Sequence, residues 1–178
     1  RFQSKYVQPV PGITTSYPYG VIIRQDWLDI LGLETPHTLD EFVAVMQAFT
    51  ENDPDGNQKD DTFGITSWKL NQIGGVFAGA FQTDYLWNSI HADTGDTQNA
   101  AKLRENQTGY LSFLDFVKNI YDQGYVDPSF VSLQNAENKF VLGKIGMVGG
   151  YSCDVIALEK QLQKTVSNAK LQWILCPG

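Results

Sequence analysis

The chain has 178 residues and only two cysteines, Cys153 and Cys176, too few to staple a domain of this size and without metal-ligand spacing. They could pair in an oxidising compartment, but as isolated apolar side chains they are expected to be simply buried, and they leave the redox compartment open. No apolar run approaches the roughly 18 residues of a membrane helix. The Arg1 to Pro9 start carries neither the apolar stretch of a signal peptide nor a lipidation motif. Basic residues are scarce: 13 stand against 20 acidic ones, a net charge of -7. Nucleic-acid phosphates and anionic lipid would be repelled by such a field, so no nucleic-acid partner is expected. There are two histidines, and neither has a recognisable nucleophile or metal partner. His37, just before a helix cap, reads as a turn residue, and His91 falls in a polar stretch. Phosphate loops, nucleophile elbows and zinc spacings are all missing. Twenty acidic residues must contain some pair at glycosidase separation, so that signal has no specificity. The reading is a protein that is not an enzyme.

What is present specifies a fold. Hydrophobic residues make up 42% of the chain, with 10 Phe, 8 Tyr and 4 Trp, which excludes a disordered or low-complexity chain. A domain of this length buries roughly 70% of its unfolded surface, and no composition shift divides it, so residues 1–178 are read as one domain. The missing initiator Met and the abrupt ending at Cys176-Pro177-Gly178 suggest a piece of something larger. A Pro- and Gly-rich lead-in precedes a β-branched run, Val21-Ile22-Ile23, that reads as a buried strand. Residues 26–31 read as a short helix stopped by Gly32. Thr38 with Glu41 three residues on makes a capping box for a helix ending near Asn52, with Leu39, Phe42, Val43, Met46 and Phe49 on one face. The pattern then predicts a strand at 63–67, a helix over 71–81 weakened by glycines, an irregular polar excursion over 83–108, and a helix over 109–123 capped by Gly124. A helix at 134–142, a strand at 144–148, a glycine turn, a helix over 152–165 and a strand at 171–176 complete it. Alternating helices and strands with helix in excess make the class α/β, helix-rich with a small sheet.

The most chemical segment is Asp53-Pro54-Asp55-Gly56-Asn57-Gln58-Lys59-Asp60-Asp61-Thr62. Its side-chain oxygens at 53, 55, 57 and 61, with the Lys59 carbonyl, match what a hard cation such as calcium takes, six to eight oxygens at roughly 2.3–2.6 Å. A calcium here would be structural, since few positions remain for a substrate. The match to an EF-hand is partial: Gln58 stands where the glycine should be, and Gly64 where the bidentate glutamate should be. A solvated helix-to-strand turn uses the same residues for backbone reasons and is the alternative.

Tyr17, Tyr19, Trp27, Trp68, Tyr85, Trp87, Tyr151 and Trp173 are spread along the chain, many beside Gly, Pro or polar residues. Flat rings with a polar tip stack on sugar faces, although most aromatics serve packing, and Trp27 reads as core. Tyr151 stands apart because it follows a strand and two glycines and precedes a helix, where ligands sit in open α/β sheets. The adjacent glycines are expected to let a ligand approach the backbone.

Several segments resemble one family. Phe140-x-x-Gly143-Lys144-Ile145-Gly146-Met147-x-x-Gly150-Tyr151 is similar to the F-x-x-G-K-x-A/G-M-x-x-x-G-x-W segment of extracellular solute-binding proteins of family 1, the receptors of carbohydrate ABC importers. Ile23 to Leu33 (IRQDWLDILGL), followed by Pro36 to Phe42, Asp53 to Gly64, and Tyr121 to Pro128, resemble in order further segments of the lipoprotein branch of that family in Gram-positive bacteria. The resemblance covers nearly the whole chain. It implies a periplasmic-binding-protein-like type II fold of two lobes closing on a ligand, of which this chain is similar to the second lobe alone. It also implies capture of an oligosaccharide, transfer to ABC permease subunits, and tethering outside the cytoplasmic membrane by a lipid anchor that this chain does not carry. Carried over by position, Tyr151 matches the aromatic residue that stacks on sugar. Asp53, Asp55, Asn57, Lys59 through its carbonyl, and Asp61 match the calcium loop, while Thr62 stands where many relatives carry a glutamate. Trp68, Trp87 and Arg24 are further candidates for the cleft. The rival expectations are a calcium-stabilised adhesion or carbohydrate-binding module not coupled to transport and, more remotely, a fragment of a polysaccharide-degrading enzyme.

Overall fold

A computed structural model of the chain describes residues 19–67, 70–83, 90–92, 101–103, 109–131 and 138–177. A four-stranded mixed sheet organises it. Strands β1 (Tyr19–Arg24), β2 (Phe63–Thr66), β5 (Ile145–Tyr151) and β6 (Leu171–Ile174) lie in the order β2-β5-β1-β6. β1 runs antiparallel to both β5 and β6, while β2 and β5 are parallel. Alternation along β1 divides the core between the sheet faces. Val21 and Ile23 point into one cluster and Ile22 into the other.

The larger cluster is covered by helices α1 (Gln25–Leu31), α2 (Leu39–Glu51), α3 (Leu70–Phe77) and α4 (Tyr110–Asp122). On α2, Phe42, Val45, Met46 and Phe49 recur at helical spacing and are buried, so one stripe faces the sheet. The predicted capping box forms: Glu41 N donates to Thr38 Oγ1 at 3.3 Å, and Thr38 N donates to Glu41 Oε2 at 3.0 Å. Gly32 ends α1 in the left-handed region at φ 64°, a conformation that glycine adopts without a Cβ penalty. The smaller cluster joins Ile22, Phe140, Ile145 and Val148 to Leu158 and Leu162 of α5 (Val155–Leu162).

A buried polar knot ties β2 to the segment after α4. Asp127 is fully buried and accepts hydrogen bonds from Thr66 Oγ1 at 3.1 Å, Ser129 N at 3.0 Å and Lys139 Nζ at 2.6 Å. A buried carboxylate needs such partners, and here it has them.

Four sequence expectations change. The strand predicted at 144–148 continues through Gly149 and Gly150 to Tyr151, so no glycine turn forms. Pairing of Gly149 with Val21, Gly150 with Gly20 and Tyr151 with Tyr19 holds these residues in the ladder, where local preference alone would not. The helix predicted to reach 165 starts as a 3-10 turn (Ser152–Asp154), and its α-helical part stops at Leu162. The helix predicted over 71–81 is α-helical only to Phe77 and tightens to 3-10 geometry over Ala78–Phe81. The excursion over 83–108 contains an antiparallel ladder, β3 (Ile90–Ala92) with β4 (Ala101–Leu103). Of the helix predicted at 134–142, residues 138–141 are helical and 134–137 lie outside the described residues.

Candidate functional site

The Asp-rich loop leaves α2 at its C-terminus and enters β2. Its backbone is wound around Asp53, whose carboxylate accepts from Asn57 N at 3.0 Å and Gln58 N at 2.8 Å. The winding places Asp53 at φ 47° and Gln58 at φ 60°, left-handed positions that cost a non-glycine residue stability. Gln58 therefore takes the conformation for which an EF-hand uses glycine. Thr62 is turned away from the loop: it is buried and donates to the Phe49 carbonyl at 2.8 Å, so it offers the loop no ligand.

The carboxylates at 55 and 61 converge on an ammonium. Lys144 Nζ lies 2.6 Å from Asp55 Oδ2 and 2.9 Å from Asp61 Oδ1. Asn57 Nδ2 donates to the same two oxygens at 3.0 and 3.2 Å. The Lys144 bond first, and the Asn57 amide with it, hold the Asp61 carboxyl below its ordinary range against partial burial. Desolvation pulls the Lys144 ammonium down, but the bonds to Asp55 and Asp61 outweigh it and leave it above its ordinary value. Among the described residues, no three His, Cys, Asp or Glu side chains are placed to hold a metal as they stand. The donor chemistry nevertheless suits a hard cation, because the loop carries three carboxylates and an amide and a cationic group already sits between two of the carboxylates. As the loop stands, Asn57 turns its amide nitrogen to Asp55 and Asp61, and its oxygen accepts from Lys59 N at 2.8 Å.

At the other end of β5, about 20 Å away at a strand's rise per residue, Tyr151 is 49% exposed. Its ring meets the Tyr19 ring edge-on, with centroids 5.3 Å apart and planes at 78°. The expectation that the neighbouring glycines admit a ligand is corrected. A Cβ on Gly149 would come within 2.3 Å of Tyr19 Oη, and one on Gly150 within 2.7 Å of Ile22 Cδ1. Those gaps hold the protein's own side chains. Burial, then the nearby Cys176 and Tyr151, push the Tyr19 hydroxyl well above the ordinary tyrosine range. Tyr151 keeps an exposed face on a braced ring.

Arg24 joins neither group as a free cation. It is 2% exposed. It donates to both carboxylate oxygens of Asp26 at 2.8 and 2.6 Å and to the Gly143 carbonyl at 3.4 Å, and it stacks over Trp27 at 4.4 Å. Placed at the end of β1 opposite Tyr19, it is an anchor between α1 and the segment before β5, away from Tyr151. Trp68 and Trp87 lie outside the described residues. Cys153 and Cys176 are free thiols, and both are only partly buried where full burial was expected. Sequence reasoning missed the roles of Lys144 and Tyr19. Lys144 was visible within the glycine-lysine motif, but only folding brings it to the loop, and Tyr19 looked like one more aromatic beside a glycine.

A small mixed sheet layered by helices is the fold of type II periplasmic-binding-protein-like solute receptors, and solved structures agree. Alginate-binding protein AlgQ2 without calcium ion superposes with a TM-score of 0.75 at 21% identity, covering 89% of this chain and 32% of that one. The Streptococcus pneumoniae ABC-transporter substrate-binding protein FusA, as an EF-hand mutant in complex with fructo-nystose, gives 0.66 at 20%, covering 88% and 31%. In sequence the chain is 34% identical over 141 residues to the polygalacturonan/rhamnogalacturonan-binding protein YtcQ of Bacillus subtilis strain 168, 78% of this chain and 27% of that protein. It is 33% identical over 152 residues to the lipoprotein LipO of the same strain, 84% and 29% respectively. Its homologues are sugar ABC transporter substrate-binding proteins, and the chain matches a part of each. No family model matches it. It spans under a third of the length of these relatives.

Proposed function

We propose that this chain is the second lobe of a two-lobed extracellular receptor that captures an oligosaccharide, without catalysis, and delivers it to ABC permease subunits. The observation that carries the reading is the identity to a polygalacturonan/rhamnogalacturonan-binding protein along 78% of the chain. A lipoprotein relative supports placement at the outer face of the cytoplasmic membrane through a lipid anchor. Tyr151 supplies the apolar plate for a sugar ring. The remaining contacts come from the facing lobe, so one lobe by itself binds weakly.

Calcium in the Asp-rich loop is part of the reading. Asp53, Asp55 and Asp61 would hold it through carboxylates, Asn57 through its amide oxygen and Lys59 through its carbonyl. When bound, the ion supplies charge that fixes the loop and takes no part in ligand chemistry.

The test is a calorimetric titration of the complete two-lobed protein, calcium-saturated, with neutral and acidic oligosaccharides. Micromolar or tighter binding to one glycan class is expected, and Tyr151→Ala should weaken it at least tenfold while leaving the protein folded. Silence across the panel from folded protein would overturn the sugar reading. Wild-type affinity in Tyr151→Ala would remove that ring from the site.

A further inference from the structure

We propose that Lys144 is the built-in counter-cation of the Asp-rich loop, holding Asp55 and Asp61 together when no metal is bound, and that a divalent ion entering the loop must displace it. The inference rests on the reading of the loop as a calcium site and adds to it a competitor supplied by the chain itself.

Lys144 reaches the loop from 89 and 83 residues away in sequence, at 2.6 Å from Asp55 and 2.9 Å from Asp61. The lysine side chain is 25% exposed, and Asp55 and Asp61 are 19% and 40% exposed. The group is thus partly shielded, and its charges are screened less than on an open surface. A calcium ion bound at about 2.3–2.6 Å to oxygens that also hold an ammonium would put three positive charges within a few ångströms. That repulsion is relieved only if the lysine leaves. The movement is confined to the side chain, because the Lys144 carbonyl accepts from Phe63 N at 3.0 Å and its amide donates to the Lys139 carbonyl at 3.0 Å. β5 stays in register while the ammonium is released. Calcium affinity is consequently set below what the oxygens alone would give, and the metal-free loop keeps its shape instead of springing apart under carboxylate repulsion.

The experiment compares calorimetric calcium titrations of the complete protein and its Lys144→Met variant. It also measures acylation of Lys144 by an acetyl ester, with and without calcium, by mass spectrometry, with the exposed Lys160 and Lys170 as internal references. Lys144→Met is expected to bind calcium at least tenfold more tightly, and Lys144 in the unaltered protein to acylate several-fold faster once calcium is bound. Binding by Lys144→Met alone also supports displacement. Equal or weaker affinity in the variant, or Lys144 labelling that calcium leaves unchanged, overturns the proposal while the calcium reading stands. Absence of calcium binding in both proteins overturns the two together. Should Lys144→Met fail to fold, labelling of the unaltered protein decides.

Discussion

Asp127 shows how much one side chain can carry. Burial pushes its carboxyl up, but the Lys139 ammonium and the Ser129 donors more than reverse this and leave it below its ordinary range. With the folded value below the unfolded one, about 3.9, its stabilisation is complete above that unfolded value and is lost as pH falls through the folded value. The urea midpoint should therefore decline as the pH falls below about 4. Asp127→Asn should lower stability by about 2–4 kcal/mol at pH 7, with a shallower acid decline; an acid decline as steep as that of the unaltered protein would show that other carboxyls are responsible. Arg24 belongs at the same scale. Its burial, its paired bonds to Asp26 and its stacking on Trp27 make it an anchor, so Arg24→Met should cost about 2–4 kcal/mol by leaving Asp26 unpaired. Ligand affinity of the folded variant should stay unchanged, and a selective loss of affinity with normal melting would return Arg24 to the cleft. The sequence placed Arg24 beside the strand but gave no sign that Gly143 would come within reach of its guanidinium.

At the scale of elements, β5 joins both candidate sites and packs without slack. A Cβ on Gly146 would lie 2.1 Å from Phe49 Cδ2, so Gly146→Ala should push α2 from the sheet and cost about 1–3 kcal/mol, read as a lowered denaturation midpoint. A midpoint equal to that of the unaltered protein would mean the interface can breathe. Thr38→Ala removes half of a formed capping box and should cost about 1 kcal/mol, a loss that Thr38→Ser should largely avoid. Helices α2 and α4 were legible because their apolar spacing and terminal residues act within a few positions of one another. The continuation of β5 through two glycines was not, because its cause is the ladder with β1. The 3-10 tightening after Phe77 likewise had no local signal beyond the glycines.

For the molecule as a whole, the sheet separates a cation-holding end from an aromatic end, and bracing the first can steady the second only through β5 and its neighbours. Calcium bound in the loop as proposed, at a hundred times its dissociation constant, should stabilise by about 2.7 kcal/mol and so, in a domain of this size, raise the melting temperature by roughly 5–10 °C. Chelator should reverse the rise. An unchanged melting temperature in both conditions would remove calcium from this protein.

The amino-acid sequence by itself determined the α/β class, the order of the main helices and strands and the oxygen-rich spacing of 53 to 61. All of these depend on residue types at short, fixed separations, where helix period, strand alternation and caps operate. Tertiary structure alone decided that Lys144 meets Asp55 and Asp61, that Tyr19 braces Tyr151, and that Arg24 is spent on Asp26 and Gly143. Strand register and core packing bring such partners together across long stretches of chain, and no local preference records where those stretches will meet.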